Sequence, residues 1–409
     1  MQNRNFRLYF AGATLSAIGS AMVPVALSFA VLDAGLRAGA LGLVLAAQTI
    51  PTVCLLLIGG VVGDRWSRRG VMITSDLLRF LVQIALACAL IEGSQSLVLL
   101  MALTALIGVG NAFFGPASSG FLVGIVDKEE LGRANAVLRT GNALAMIIGP
   151  SAAGLIVVGV GPGWTLGLDG LSYAASAVCL GLVRLRPDAR STTAPQYPYV
   201  GRDLRIGFRA YAERRWLWLL VGQVGLLNLL AYAPFQVIAP ELLAAHPDGA
   251  RAWGALLGVI GAGALAGAMG ATRWQPKRSL VAVELAVCSL LPLLFLLAAD
   301  ARFPALLAGA AAFGVGAAVL SVLTLTAIQR EVPLEMLSRV MSVVQLAVTG
   351  LNPLGYVLAA PAMALLGPHA TLAWAASCVL VSVGILLSVP DIRRFGAQSS
   401  RGSAVPGVS

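Results

Sequence analysis

Charged residues are scarce in this sequence. Only 11% of its 409 residues are charged, whereas a soluble domain carries about 25%. Hydrophobic residues make up 58% of the chain. A soluble protein of this length would form two or three domains, and this chain has too few polar residues for their surfaces. The low charge excludes an ordinary soluble protein and indicates an integral membrane protein.

Residues that bind metals or form disulfides are also few. The chain has two histidines, which lie far apart, and five cysteines, each inside a different apolar run. This spacing is typical neither of a metal site nor of a disulfide framework. The sequence also lacks a GxxxxGK[ST] phosphate-binding loop, which argues against ATP as the direct energy source. We expect no metal, no cofactor and no enzymatic activity.

Long apolar runs fill most of the chain. A helix needs about 20 apolar residues to cross a bilayer. Twelve runs are close to or above that length, at residues 8–32, 39–62, 71–91, 97–117, 137–160, 165–183, 216–240, 252–272, 279–299, 303–325, 341–366 and 370–389. Helices are predicted because lipid offers backbone groups no hydrogen-bond partner, and barrel strands would be shorter and alternating. The sequence therefore predicts an all-α membrane protein with twelve transmembrane helices.

The 28 lysines and arginines are unevenly distributed. Most lie near the two ends of the chain or in loops after even-numbered runs, in short clusters. The positive-inside rule then predicts a multi-pass protein of the cell membrane with both termini in the cytoplasm. The net charge of +10 is thus explained by topology, and no basic tail indicates nucleic-acid binding.

The longest loop separates six runs from six. The predicted parts are an N-terminal six-helix bundle, a cytoplasmic linker that ends in an amphipathic helix, a C-terminal six-helix bundle and a disordered cytoplasmic tail, at residues 1–183, 184–215, 216–389 and 390–409. The apolar face of the linker helix suits the inner membrane surface, although an ordinary connector is the alternative.

Short patterns recur between the two halves at a spacing of 206 to 208 residues. Arg65 and Trp66 recur as Arg273 and Trp274, and Gly149 falls opposite Gly355. Two parallel six-helix halves are a known transporter plan. The fold is therefore expected to be two pseudo-symmetric six-helix bundles.

A charged cluster lies between the second and third runs. It resembles the loop 2–3 signature of the major facilitator superfamily in five residues, Gly60, Asp64, Arg65, Arg68 and Arg69. The family's usual glycine before the last two basic residues is Ser67 here. In that family the acid bridges the two halves on the cytoplasmic side and holds the outward-facing state. The resemblance implies a gate role for Asp64.

A second motif lies in the fifth run. Gly149, Pro150 and Gly154 resemble the antiporter motif of drug exporters, with Ala153 where the family often has a glycine. Proline and small residues permit a kink and close packing, so a generic kinked helix is the alternative. Three further stretches resemble the drug–proton antiporter branch that includes macrolide-efflux proteins and the enterobactin exporter, at residues 76–79, 129–136 and 169–173.

Charges inside membrane runs are costly and are therefore candidates for function. Asp76 and Arg79 are spaced to pair on one helical face, for proton coupling or as a structural ion pair. Asp169 is the first candidate for a proton site, with a hydrogen bond between helices as the alternative. Arg139 is a candidate partner for an acid of the same half. Glu284, near the cytoplasmic end of the ninth run, is expected to reach water.

Polar residues in the middle of the runs are candidates for a substrate cavity between the halves. They are Gln48, Gln223, Asn228, Tyr232, Gln345 and Asn352. An interhelical hydrogen bond is the alternative for each of them.

The resemblance implies a secondary active transporter that works by alternating access. We expect a proton-coupled exporter of a bulky, largely apolar small molecule such as a drug, a macrolide or a siderophore. Its partners would be this cargo, protons and the lipid bilayer, and the protein is expected to be a monomer. An importer or a non-transporting sensor on the same fold is the alternative.

Overall fold

The computed structural model describes residues 4–184, 214–246, 248–274, 276 and 278–394. Within these ranges the chain forms helices joined by short connections, and no strand occurs there. Residues 185–213, which include most of the predicted linker helix, and residues 395–409, which are most of the predicted tail, lie outside the described residues. The first residues of that tail, 390–394, form a short helix.

Twelve helical segments are long and apolar enough to cross a membrane. They are α1 (Arg4–Asp33), α2 (Ala38–Arg65), α3 (Arg68–Ile91), α4 (Leu97–Phe121), α5 (Leu131–Val160), α6 (Pro162–Leu182), α7 (Arg215–Ala244), α8 (Gly249–Arg273), α9 (Ser279–Ala298), α10 (Phe303–Glu331), α11 (Val340–Leu366) and α12 (Pro368–Ser388). A short helix, α13 (Pro390–Arg394), follows. The twelve predicted spans are confirmed.

Three of these spans are interrupted. Part of α7, Asn228–Tyr232, is a π-helix, a rare form that is frequent at functional sites. The helix of α9 stops at Val287 and resumes at Leu290. The span α11 consists of two helices: the first begins before the span, at Leu334, and ends at Thr349, and the second begins at Asn352. The interruptions place three candidate cavity residues at helix irregularities: Asn228, Tyr232 and Asn352.

The sixth and twelfth spans begin in the same way. Gly161 precedes α6 with φ of 93°, and Gly367 precedes α12 with φ of 80°. Such backbone angles favour glycine, and the next residue in each case is a proline, which suits the first position of a helix. Thr165 and Thr371 each donate a hydrogen bond back to the glycine carbonyl, at 3.3 and 2.7 Å. These matched starts support the repeat seen in the sequence.

The chain forms two compact units. Unit 1 comprises Met1–Val200, Gln236–Gly258 and Asn352–Leu365, and unit 2 comprises Gly201–Phe235, Val259–Leu351 and Leu366–Ser409. Unit 1 thus holds the first six spans together with parts of α7, α8 and α11. The division into an N-terminal and a C-terminal bundle stays a prediction.

Each unit has its own helix packing. In unit 1, α6 packs against α1 and α3, while α2 packs against α4. In unit 2, α9 packs against α10 and α12. Many large apolar side chains remain exposed on the helices, among them Leu81, Leu155 and Ile385. Exposed apolar surface on this scale suits contact with lipid tails.

Candidate functional site

A buried polar cluster lies in unit 1, where α1, α3, α4 and α6 meet. We call it the acid–arginine cluster. Its members are Ser20, Asp76, Arg79, Gln83, Asn111, Asp169, Ser172 and Tyr173. The members on α3 are spaced by three and four residues, and those on α6 by three and one, which places each set on one face of its helix. All of them are buried except Ser20 and Asn111, which are half-buried.

Arg79 is the cation of this cluster. Its guanidinium forms an ion pair with Asp76 one turn earlier on α3. It also donates a hydrogen bond to Oδ1 of Asn111 at 3.2 Å. The rings of Phe114 and Tyr173 lie against it, with centroids 4.2 and 4.3 Å from Cζ. Aromatic faces attract a cation, more strongly where water is excluded. Arg79 is therefore balanced by one carboxylate and held between helices.

Asp169 is the second acid of the cluster. It is completely buried. Its Oδ2 accepts a hydrogen bond from Nε2 of Gln83 at 2.9 Å, and its Oδ1 lies 3.4 Å from the hydroxyl of Ser172. Among the described residues, no lysine or arginine lies within ion-pair distance of it. A Cβ on Gly19 of α1 would come within 2.6 Å of Oδ1, so the glycine makes room for this carboxyl.

The cluster therefore contains two carboxyl groups and one guanidinium away from water. Asp76 and Arg79 cancel each other's charge. An ionised Asp169 then leaves one uncompensated negative charge in the interior, which is costly. A proton on Asp169 removes that charge while Gln83 and Ser172 still supply hydrogen-bond partners. The arrangement can bind and release one proton.

Arg139, the fourth candidate for proton coupling, lies elsewhere. Its side chain is on the exposed surface of α5. None of the ion pairs found in the described ranges includes it, and it is not a member of the acid–arginine cluster. Its role in coupling stays a prediction.

Glu284 corrects one expectation. It was expected to reach water, but its side chain is completely buried in unit 2. Nε2 of Gln223 donates a hydrogen bond to Oε2 of Glu284 at 2.9 Å and lies 3.3 Å from the hydroxyl of Ser382. The expectation was wrong because α7, α10 and α12 pack around the first turns of α9, which distance along the chain does not reveal.

The arginines after α2 contact helix ends within unit 1. Nη1 of Arg68 donates to the carbonyl oxygen of Gly120 at 2.9 Å, and Arg69 donates to that of Gly181. These carbonyls lie in the last turns of α4 and α6, where they lack a partner in their own helix and carry partial negative charge. The side-chain surroundings of Gly60, Asp64 and Arg65, at the end of α2, are not described, so the gate role stays a prediction.

The antiporter motif forms close helix contacts in unit 1. A Cβ on Gly149 would lie 2.6 Å from Cβ of Ala21 in α1. A Cβ on Gly154 would lie 2.6 Å from the carbonyl oxygen of Ala250 in α8. Gly254 of α8 in turn lies against the carbonyl oxygen of Pro150. The small residues of the motif thus let α5 approach both α1 and α8 closely.

A similar contact joins α2 to α11 in unit 1. A Cβ on Gly39 would lie 2.9 Å from Cβ of Ala360, and Gly42 lies against the carbonyl oxygen of Tyr356. Together with the α5–α8 contact, it ties the parts of α8 and α11 that belong to unit 1 to the first six spans.

The six candidate cavity residues are divided over the units. Gln48 and Asn352 belong to unit 1, and Gln223, Asn228, Tyr232 and Gln345 belong to unit 2. Two of them lie in the π-helix. Nδ2 of Asn228 donates to the carbonyl oxygen of Val348 at 2.8 Å, and the ring of Tyr232 packs near those of Phe235 and Phe313. Gln223 is bound to Glu284. Cargo contact stays a prediction for all six.

Sequence reasoning missed three neutral members of the acid–arginine cluster, Ser20, Gln83 and Asn111. Gln83 and Asn111 are polar residues in otherwise apolar runs, and Gln83 follows Asp76 by two helical turns. That spacing was the available signal. No group of three or more metal-binding side chains occurs in the part of the chain that was searched.

Comparison with known proteins agrees with this architecture. The family model of the Major Facilitator Superfamily matches residues 9–356. The multidrug efflux pump Tap of Mycolicibacterium fortuitum is 26% identical over 96% of this chain and 97% of its own length. The enterobactin exporter EntS of Salmonella paratyphi A is 26% identical over 84% of this chain and 82% of its own length.

Two other relatives match over shorter segments. A chloramphenicol resistance protein of Streptomyces lividans is 26% identical over 60% of each chain. Macrolide efflux protein A of Streptococcus pyogenes is 22% identical over 58% of each chain. The chain thus covers about three fifths of these two relatives. The predicted likeness to macrolide-efflux proteins and the enterobactin exporter is confirmed.

Solved structures share the fold. A mutant of the nucleoside transporter NupG superposes with a TM-score of 0.77 over 94% of this chain and 99% of that chain, at 12% identity. Identity this low shows the fold alone. With twelve spans and a family match over most of its length, the chain belongs to the major facilitator superfamily, a family of membrane transporters.

Proposed function

We propose that this transporter is a proton-coupled exporter that works by alternating access. Its cargo is a bulky, largely apolar small molecule such as a drug, a macrolide or a siderophore. The observation that carries the proposal is the acid–arginine cluster, which buries two carboxyl groups but only one guanidinium, and that guanidinium is paired with Asp76. The second acid, Asp169, avoids an unpaired buried charge by holding a proton.

Proton binding at Asp169 is the coupling step of this proposal. A proton that enters from outside neutralises Asp169 and changes its hydrogen bond with Gln83, which joins α6 to α3. Asp169 also lies beside Gly19 of α1. The proton can drive transport only if it binds more tightly in the state that releases cargo than in the state that takes cargo up.

Three observations support export of an apolar cargo. The names of the relatives Tap, macrolide efflux protein A and EntS describe efflux or export. The α5 motif that resembles the antiporter motif packs closely on α1 and α8. The candidate cavity residues are uncharged amides and a phenol, which suits a cargo without strong charge.

Proton flux in inside-out vesicles tests the proposal. A pH gradient is imposed, and macrolides, lipophilic cations and siderophores are added in turn. We expect one cargo class to collapse the gradient in the wild type but not in Asp169→Asn or in the gate variant Asp64→Asn. Glu92→Gln, which removes an exposed carboxyl at the end of α3, is the matched control and should behave like the wild type.

Other results would contradict this coupling or indicate a different function. Equal flux in the wild type and Asp169→Asn would contradict coupling through the acid–arginine cluster. Cargo that leaves these vesicles together with protons would identify an importer. A chain that moves no cargo but binds one, and that tolerates Asp64→Asn, would be a sensor.

A further inference from the structure

The two halves of the chain place an acid at equivalent positions of α3 and α9. The spacing of 208 residues that relates the two Arg-Trp pairs also relates Asp76 to Glu284. The spacing of 206 residues that relates the starts of α6 and α12 relates Ser176 to Ser382. Ser176 lies beside Asp76, and Ser382 bonds Gln223, the partner of Glu284. Glu284 is therefore the counterpart of Asp76 in the second half.

The two acids differ in their counter-charge. Asp76 forms an ion pair with Arg79, whereas the residue three positions after Glu284 is Val287. Glu284 is completely buried, and its Oε1 has no hydrogen-bond partner among the described residues. The second half therefore has a carboxyl at this position but no arginine one turn later.

The helices around Glu284 present no described cation to it. From α7 it faces Gln223, and α12 contributes Ser382 through that amide. Cys288 follows one turn later on α9. Packed against α9 are apolar residues of α10 and Ile392 of α13. Two charged residues of α13 have other partners, since Asp391 is exposed and pairs with Arg215 at 3.7 Å, and the exposed Arg393 donates to the carbonyl oxygen of Ser388.

We infer that Glu284, with Gln223, forms a proton-binding site in unit 2, separate from the acid–arginine cluster of unit 1. An unpaired carboxylate in a dry interior is costly, and such a group becomes neutral by holding a proton. The amide of Gln223 has a donor and an acceptor, so after turning over it can accept a hydrogen bond from the protonated acid. The site goes beyond the proposed function, which uses a proton in unit 1 alone.

Labelling with dicyclohexylcarbodiimide tests this site. This apolar reagent adds to protonated carboxyl groups in apolar surroundings, and peptide mass spectrometry locates it. In the purified wild-type protein we expect label on Glu284 that decreases as the pH rises, and none on Asp76. Val287→Arg supplies the missing cation and should reduce the label by about tenfold or more. Val287→Leu, the matched control, should keep it.

A second measurement covers the case in which Val287→Arg does not fold. The infrared band of protonated carboxyl groups at neutral pH should be smaller in Glu284→Gln than in the wild type. Absence of label on Glu284 at every pH, or an infrared band unchanged by Glu284→Gln, would overturn the site. Neither measurement needs cargo or a gradient, so each can fail while proton-coupled export holds, and the reverse.

Discussion

Gln83 of α3 donates a hydrogen bond to Asp169 of α6 across 2.9 Å. Because both side chains are buried, this bond is a fixed link between two membrane helices. The nearby cation, Arg79, is already paired with Asp76. Asp169 is left with neutral partners, and the link through Gln83 is the one that a proton on Asp169 would change.

Replacing Asp169 by asparagine should uncouple the transporter. Asparagine keeps the size and the hydrogen-bond acceptor of a protonated aspartic acid but cannot release a proton. We expect cargo to bind with an affinity near that of the wild type, while gradient-driven transport falls by more than about tenfold, or ~1.4 kcal/mol in the barrier. Equilibrium binding and vesicle transport measured side by side check this. Loss of binding together with transport would point to a structural role instead.

Replacing Asp76 by asparagine should destabilise unit 1. Arg79 would then be a buried cation without its carboxylate, which costs about 3–5 kcal/mol when one partner of a buried pair is removed. Thermal unfolding in detergent should show a lower Tm. Asp76→Asn combined with Arg79→Gln removes both charges and should recover much of the loss. A double variant less stable than either single variant would contradict the pairing.

An alanine at Gly154 should disturb the packing of α5 on α8. Its Cβ would lie 2.6 Å from the carbonyl oxygen of Ala250, and overpacking of this kind costs about 1–3 kcal/mol. We expect a lower Tm and altered transport. The matched control on the same helix is Gly159→Ala, whose Cβ would meet nothing within 4 Å and should gain up to ~1 kcal/mol of helix propensity. Equal Tm values for both variants would rule out the close contact.

Ser67, which precedes Arg68 and Arg69, should act as the N-terminal cap of α3. Ser67 precedes α3, and its hydroxyl accepts a hydrogen bond from the backbone N–H of Gly70 at 2.9 Å. Ser67→Ala should cost about 1 kcal/mol, whereas Ser67→Gly, which restores the family's usual residue, should cost only a few tenths. Thermal unfolding of the two variants gives the comparison. A glycine variant as unstable as the alanine variant would argue against capping.

The sequence was a good guide to the spans because each needs about 20 apolar residues and has few other ways to satisfy its backbone in lipid. It also placed Asp76 and Arg79 on one face, since that depends on helical spacing alone. The sequence pattern did not predict which side chains of different helices contact each other. The link from Gln83 to Asp169 joins residues 86 positions apart, and Gln223 meets Glu284 only because α7 packs against α9.

Cargo should displace a proton from the acid–arginine cluster. Proton release on cargo addition can be measured with a pH indicator in weakly buffered solutions of the purified protein. We expect cargo to release protons from the wild type and from Glu92→Gln, and to release none from Asp169→Asn although cargo still binds. Equal release from the wild type and Asp169→Asn would contradict it.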